Sequence, residues 1–130
     1  GKAKVLREGK DVTIFATGIM VSEAMDAAKS LAEDGVDAEV IDIHTIKPLD
    51  EKAIIDSAKK TGLVVTAEEH SVIGGLGGAV AELLSRELPT KMAMVGQQDT
   101  FGESGKPDEL KEKYGMTAKH IVEAVKKICK

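Results

Sequence analysis

Tryptophan is absent from this chain, and its aromatic residues are Phe15, Phe101 and Tyr114 alone. The core must therefore be aliphatic, built from Val, Ile, Leu, Met and Ala. Cysteine occurs once, as Cys129, which excludes an internal disulfide and fits a reducing compartment, the cytoplasm. Apolar runs stop far short of the roughly 20 residues that span a membrane. The opening GKAKVLREGK lacks the apolar stretch of a signal peptide. Basic residues form no stripe: 18 Lys and Arg stand against 22 Asp and Glu, a net charge of −4. Neither nucleic acid nor an anionic membrane is then the expected partner. Repeats, low-complexity tracts and linker-like regions are missing too. The first residue is glycine rather than methionine, so the chain is expected to be part of something longer.

What is present is a regular alternation of apolar runs with amphipathic ones. Leu63, Val64, Val65 and Thr66 form a β-branched run that predicts a strand buried on both faces. Polarity rises at Glu68-Glu69-His70, within a predicted loop from Ala67 to Ile73. Gly74-Gly75-Leu76-Gly77-Gly78 then leads into a helix whose Val80, Leu83 and Leu84 share one face. Near the start, two extended runs around Glu8-Gly9-Lys10-Asp11 predict a hairpin, the first arm an antiparallel edge and the second inside the sheet. A helix from about Ile19 or Val21 carries Ala24, Ala27, Ala28 and Leu31 on one side and stops at Gly35, with Thr17 or Ser22 as its cap. The next strand covers Ala38 to Ile43. Asp50 caps a helix with Ile54, Ile55 and Ala58 inward, and Gly62 closes it. Met92 to Val95 reads as a short strand and Pro107 as the start of a short helix ending at Gly115. Thr117 caps a last helix with Ile121, Val125 and Ile128 on one stripe. Strands alternating with helices at this spacing are βαβ units. The expectation is one α/β domain, residues 1–130, long enough to fold without metal or disulfide.

The polar residues after the Leu63 strand fall at the carboxyl edge of such a sheet, where open α/β folds meet ligands and partners. Glu68, Glu69, His70, Gly74, Gly75, Gly77 and Gly78 are therefore the candidate site. Carboxylates beside an imidazole can do acid–base work. On a continuing strand, however, neighbouring side chains point to opposite faces, and no further catalytic partner is visible. An interface or structural role is the stronger expectation, with the glycines letting the helix end approach another backbone closely. The rival is a regulatory module that holds an anionic metabolite on the N–H groups of the helix start at Gly74–Gly78.

Other motifs fail on spacing. Gly75-Leu76-Gly77-Gly78-Ala79-Val80 has valine where a dinucleotide fingerprint needs Gly or Ala, and the predicted loop before it is too long for the pyrophosphate turn. Gly102-Glu103-Ser104-Gly105-Lys106-Pro107 resembles a phosphate loop, but Thr100 replaces its first glycine and Pro107 its Ser or Thr. His44 and His120 belong to no zinc-like spacing. A phospho-acceptor receiver needs an acidic pair after the first interior strand, which instead ends Ala16-Thr17-Gly18.

Four blocks, taken in order, resemble the C-terminal domain of transketolases: GKAKVLREGKDVTIFATG, IDIHTIKPLD, TAEEH…GGLGGAVAELL and DTFGESGKPDEL…YGMTAKHIVEAVKK. They are also similar to the corresponding domains of 1-deoxyxylulose-5-phosphate synthase and the 2-oxo-acid dehydrogenase β subunit. The closing FGESG…EL…YGMTA run points to transketolase. The resemblance covers essentially all 130 residues. It implies a three-layer α/β/α fold with a five-stranded mixed sheet, four strands parallel and one antiparallel at the edge. It also implies an enzyme that moves two-carbon ketol units between sugar phosphates, using thiamine diphosphate and a divalent metal, magnesium. The family's Gly-Asp-Gly cofactor motif and activating glutamate lie in other domains, and no residue of this chain matches them. The implied role is assembly: packing on the remaining transketolase domains or subunit, and building the homodimer of the complete enzyme through the Glu68–Gly78 edge. The chain would be the tail of the shorter subunit of a split enzyme, binding no cofactor or metal and inactive alone.

Overall fold

The computed structural model describes residues 2–71, 75–97 and 117–129. Among these residues the elements in chain order are β1 (Lys4–Arg7), β2 (Val12–Ala16), α1 (Met20–Glu33), β3 (Ala38–Asp42), α2 (Glu51–Thr61), β4 (Leu63–Ser71), α3 (Leu76–Glu87), β5 (Lys91–Gln97) and α4 (Ala118–Ile128). The expected helix from Pro107 to Gly115 and the phosphate-loop-like Gly102–Pro107 lie outside the described residues. The strands form one sheet in the order β1-β3-β2-β4-β5, with β1 antiparallel to its neighbour and the other pairs parallel. This is the five-stranded mixed α/β fold anticipated above.

Period-two alternation sorts the sheet into two apolar faces. Val12, Ile14 and Ala16 of β2 and Val65 and Ala67 of β4 pack with Ala24, Ala27 and Leu31 of α1 and Ile121 and Val125 of α4. On the other face Phe15, Ile41 and Val64 meet Ile54 and Ala58 of α2 and Val80, Leu83 and Leu84 of α3. With helices on both sides, β2 is buried along its whole length, which is why it reads as a continuous apolar run.

The predicted hairpin is not formed. β1 is the antiparallel edge, but it pairs with β3, Lys4 opposite Asp42 and Val5 opposite Ile41. Residues 8–11 carry the chain across the amino end of β3 to reach β2 on its far side. Gly9 makes this crossing possible: a Cβ there would stand 2.3 Å from the carbonyl carbon of Ala38 and 2.5 Å from the nitrogen of Glu39. Helix caps divide similarly. Asp50 Oδ1 accepts from the Ala53 N–H at 3.3 Å, and Gly62 closes α2 at φ 77°, as expected. For α1 neither Thr17 nor Ser22 caps through its side chain; the first turn is held by the Thr17 and Gly18 carbonyls, which accept from Met20 and Val21. Thr117 sits at the N-cap of α4, but its hydroxyl engages His120 Nδ1 at 2.7 Å. The Ala118 N–H is instead taken by Glu23 Oε1 of α1, at 2.9 Å.

A buried polar network ties the crossing to α2. Glu39 projects from β3 to the α2 face, 3% exposed, and accepts from Ser57 Oγ at 2.6 Å, from the Gly9 N–H at 3.2 Å and from the Lys60 ammonium. Burial pushes the Glu39 carboxyl up, but Lys60, Ser57 and the Gly9 N–H together hold it below its ordinary value. Glu39 therefore stabilises the fold fully above that ordinary value, near 4.5, and ceases to do so as the pH falls through the lowered one. Wild type and Glu39→Gln, compared by urea unfolding, should differ by about 1–3 kcal/mol near neutral pH and converge under acid.

Candidate functional site

β2 and β4 lie side by side, yet the helices that follow them leave on opposite faces: α1 joins one apolar layer and α3 the other. That divergence opens a crevice at the carboxyl ends of the two strands, the switch point of an open α/β sheet. The candidate residues of β4 stand at this edge, though not in the predicted loop. β4 extends from Leu63 through Glu68, Glu69 and His70 to Ser71, with a shift of its register against β5 between Ala67 and Ser71. Strand alternation accordingly sends the two glutamates to opposite faces.

Glu68 turns toward α3 and is 1% exposed. Its Oε1 accepts from the Leu76 N–H at 2.8 Å and its Oε2 from the Gly77 N–H at 2.6 Å. Helix α3 begins after Gly75, which has no side chain to cap it, and carries no acid in its first turn. A carboxylate from the neighbouring strand thus satisfies the orphan N–H groups and meets the positive end of the helix dipole. Two of the N–H groups that the rival reading offers to an anion, those of Leu76 and Gly77, are therefore held by the chain's own Glu68, and an anionic metabolite there would have to displace a buried carboxylate.

Gly77 needs a correction as a contact residue. It is buried at the start of α3, facing the sheet, and a Cβ there would come within 2.9 Å of Met94 Sδ and 3.1 Å of Thr66 Oγ1. Its missing side chain serves close packing of α3 on the chain's own β4 and β5. Gly75 and Gly78 are partly exposed. Gly74 and the side chain of His70 lie outside the described residues.

Glu69 turns to the crevice. With Thr17, Gly18, His44, Thr45, Ile46 and Lys47 it lines a groove of about 510 Å³. Gly18 adopts φ +56°, and a Cβ on it would approach Glu69 Oε1 to 2.8 Å, so the carboxylate lies against bare backbone. His44 Nδ1 stands 3.5 Å from Asp42 Oδ2, and the imidazole is 53% exposed. Sequence reasoning did not join His44 to Glu69: the first follows β3 and the second lies in β4, and that these strands flank β2 is visible only in the sheet order.

At the start of α3 a diphosphate would meet the Glu68 carboxylate, which already accepts from the Leu76 and Gly77 N–H groups. Among the described residues no group of three or more His, Cys, Asp or Glu is placed to hold a metal ion. Nor is any described helix long and apolar enough to cross a membrane.

Comparison with known proteins places these features in a family. The model described as transketolase, C-terminal domain, matches residues 1–121. The 6-deoxy-6-sulfo-D-fructose transketolase subunit SqwH of a Clostridium species is 59% identical over 98% of this chain and 40% of its own length. A putative transketolase C-terminal section from Methanocaldococcus jannaschii is 49% identical over 98% of this chain and 41% of its own. A solved structure described as "Split gene transketolase, inactive beta4 tetramer" superposes with a TM-score of 0.93 at 56% identity, covering 97% of this chain and 41% of that one. The chain thus spans about two fifths of the length of these relatives.

Proposed function

The chain belongs to the transketolase C-terminal domain family, and on that premise we propose that residues 1–130 are one domain of a thiamine-diphosphate-dependent transketolase. In this reading the domain contributes packing surface and dimer assembly to a cytoplasmic enzyme. Cofactor, magnesium and two-carbon ketol transfer between sugar phosphates belong to the remaining domains or a second subunit. The observation that carries the reading is the coverage: 98% of this chain matches only 40% of the Clostridium subunit. The closure of the α3 start by Glu68 supports it, because the Leu76 and Gly77 N–H groups at that helix end are spent inside the fold. That closure also speaks against a regulatory anion site at Gly74–Gly78.

Turnover tests the proposal. The complete enzyme, supplied with thiamine diphosphate and magnesium, should transfer a two-carbon unit from a ketose phosphate to an aldose phosphate. A sulfonated ketose belongs among the donors, since the Clostridium relative is named for one. The 130-residue chain alone should be inactive. A complete enzyme that transfers from none of these donors would overturn the reading.

A further inference from the structure

We propose that Met94 is a site of reversible oxidation, at which a peroxide converts the thioether to a sulfoxide whose oxygen accepts from the Thr66 hydroxyl. The inference starts from an orphaned group. Among the described residues, the buried side-chain polar atom without a hydrogen-bond partner is Thr66 Oγ1, on a residue that is 0% exposed. Its surroundings explain the lack. Thr66 of β4 stands beside Met94 of β5, its partner in the parallel ladder. Both side chains turn to the start of α3: a Cβ on Gly77 would lie 3.1 Å from Thr66 Oγ1 and 2.9 Å from Met94 Sδ. Glu68, further along the same face of β4, directs its two oxygens to the Leu76 and Gly77 N–H groups instead. A thioether is a weak acceptor, so the hydroxyl has a neighbour but no partner.

Oxidation supplies one. The Sδ lone pair attacks one oxygen of a hydroperoxide, the O–O bond breaks, and the proton of the transferred oxygen passes to the leaving one. Sulfur loses two electrons and gains an S–O bond, while hydrogen peroxide is reduced to water. The product carries a polar oxygen, and its sulfur is chiral, so one epimer suits the Thr66 hydroxyl better than the other. Met94 is partly exposed, on a strand at the end of the sheet order, where a small peroxide has access. Met92 provides the contrast. It is also partly buried, but its partner in the ladder is Val64, and it packs against the apolar α2–α3 layer. An oxygen added there faces an apolar neighbour across the ladder, whereas at Met94 it faces a hydroxyl that lacks an acceptor. This chemistry does not rest on the transketolase reading.

Folded full-length protein, treated with hydrogen peroxide and mapped by peptide mass spectrometry, tests the proposal. Met94 should be oxidised at least about ten-fold faster than Met20, since oxidation follows exposure and Met20 is 0% exposed. One epimer of the Met94 sulfoxide should exceed the other by about five to one or more, read by which of the two epimer-specific sulfoxide reductases restores the thioether. Thr66→Val removes the donor while keeping the shape, and should bring the two epimers close to equal. Thr66→Ala serves the same purpose should valine disturb the packing, and Thr66→Ser, which keeps the donor, should keep the excess. Oxidation of Met94 no faster than of Met20 would overturn the proposal. So would equal epimers in the wild type, or an excess that survives in a folded variant without the hydroxyl.

Discussion

Gly9→Val is expected to abolish folding of the chain, or to lower its stability by about 4 kcal/mol or more, the range reached only when a substitution breaks a specific structural requirement. The obstacle is backbone. A Cβ at Gly9 meets the carbonyl carbon of Ala38 at 2.3 Å and the nitrogen of Glu39 at 2.5 Å, and neither can swing aside as a side chain would. Relief requires the link over β3 to lift. That movement also withdraws the Gly9 N–H from Glu39 and disturbs the contact with Ser57 and Lys60. Gly35→Ala is the control. Nothing lies within 4 Å of its Cβ position, and its cost comes only from φ +80°, about 1–2 kcal/mol. Urea unfolding of the two variants separates the mechanisms. A Gly9→Val protein within 1 kcal/mol of wild type would show that the link does not cross β3.

Glu68→Ala should cost about 3–5 kcal/mol, since two charge-assisted hydrogen bonds to buried N–H groups are lost together. The donors left behind belong to Leu76 and Gly77 at the start of α3, where water has little access. Glu68→Gln keeps the size but has a single acceptor oxygen, so one N–H faces an amide NH2. Its loss should approach that of alanine. Amide exchange gives the local readout: Leu76 and Gly77 should lose protection in both variants, while β2 exchanges no faster than global unfolding demands. Unchanged protection at the two amides would mean that another group caps α3.

These two glycine and glutamate positions mark where local reading of the sequence ran out. The interior strands and the amphipathic helices were legible because burial on both sheet faces writes itself as apolar runs and 3.6-residue stripes, from Val12 to Phe15 and from Ala24 to Leu31. Caps that rest on one local contact, such as Asp50 with Ala53, were legible for the same reason. The partner of β1 was not, because two extended runs joined by a short link look alike whether or not a third strand passes between them. The end of β4 was missed because two glutamates and a histidine read as loop. Glu68 remains in a buried strand only because it finds N–H donors eight and nine residues further on. Buried charge with a tertiary partner has no local apolar signature. Glu39 was hidden in the same way: its partners Gly9, Ser57 and Lys60 come from two other segments of the chain. The candidate edge itself was anticipated, but the role of Gly77 and the grouping of His44 with Glu69 depend on which elements the sheet order brings together.

The central claim is that this domain lends structure to chemistry held by other parts of the enzyme. Calorimetric titration of thiamine diphosphate with magnesium into the 130-residue chain, shown folded by circular dichroism, tests it most directly. The account predicts no heat of binding from the chain alone and saturable binding by the assembled enzyme. Saturation of the chain by itself at micromolar cofactor would contradict it.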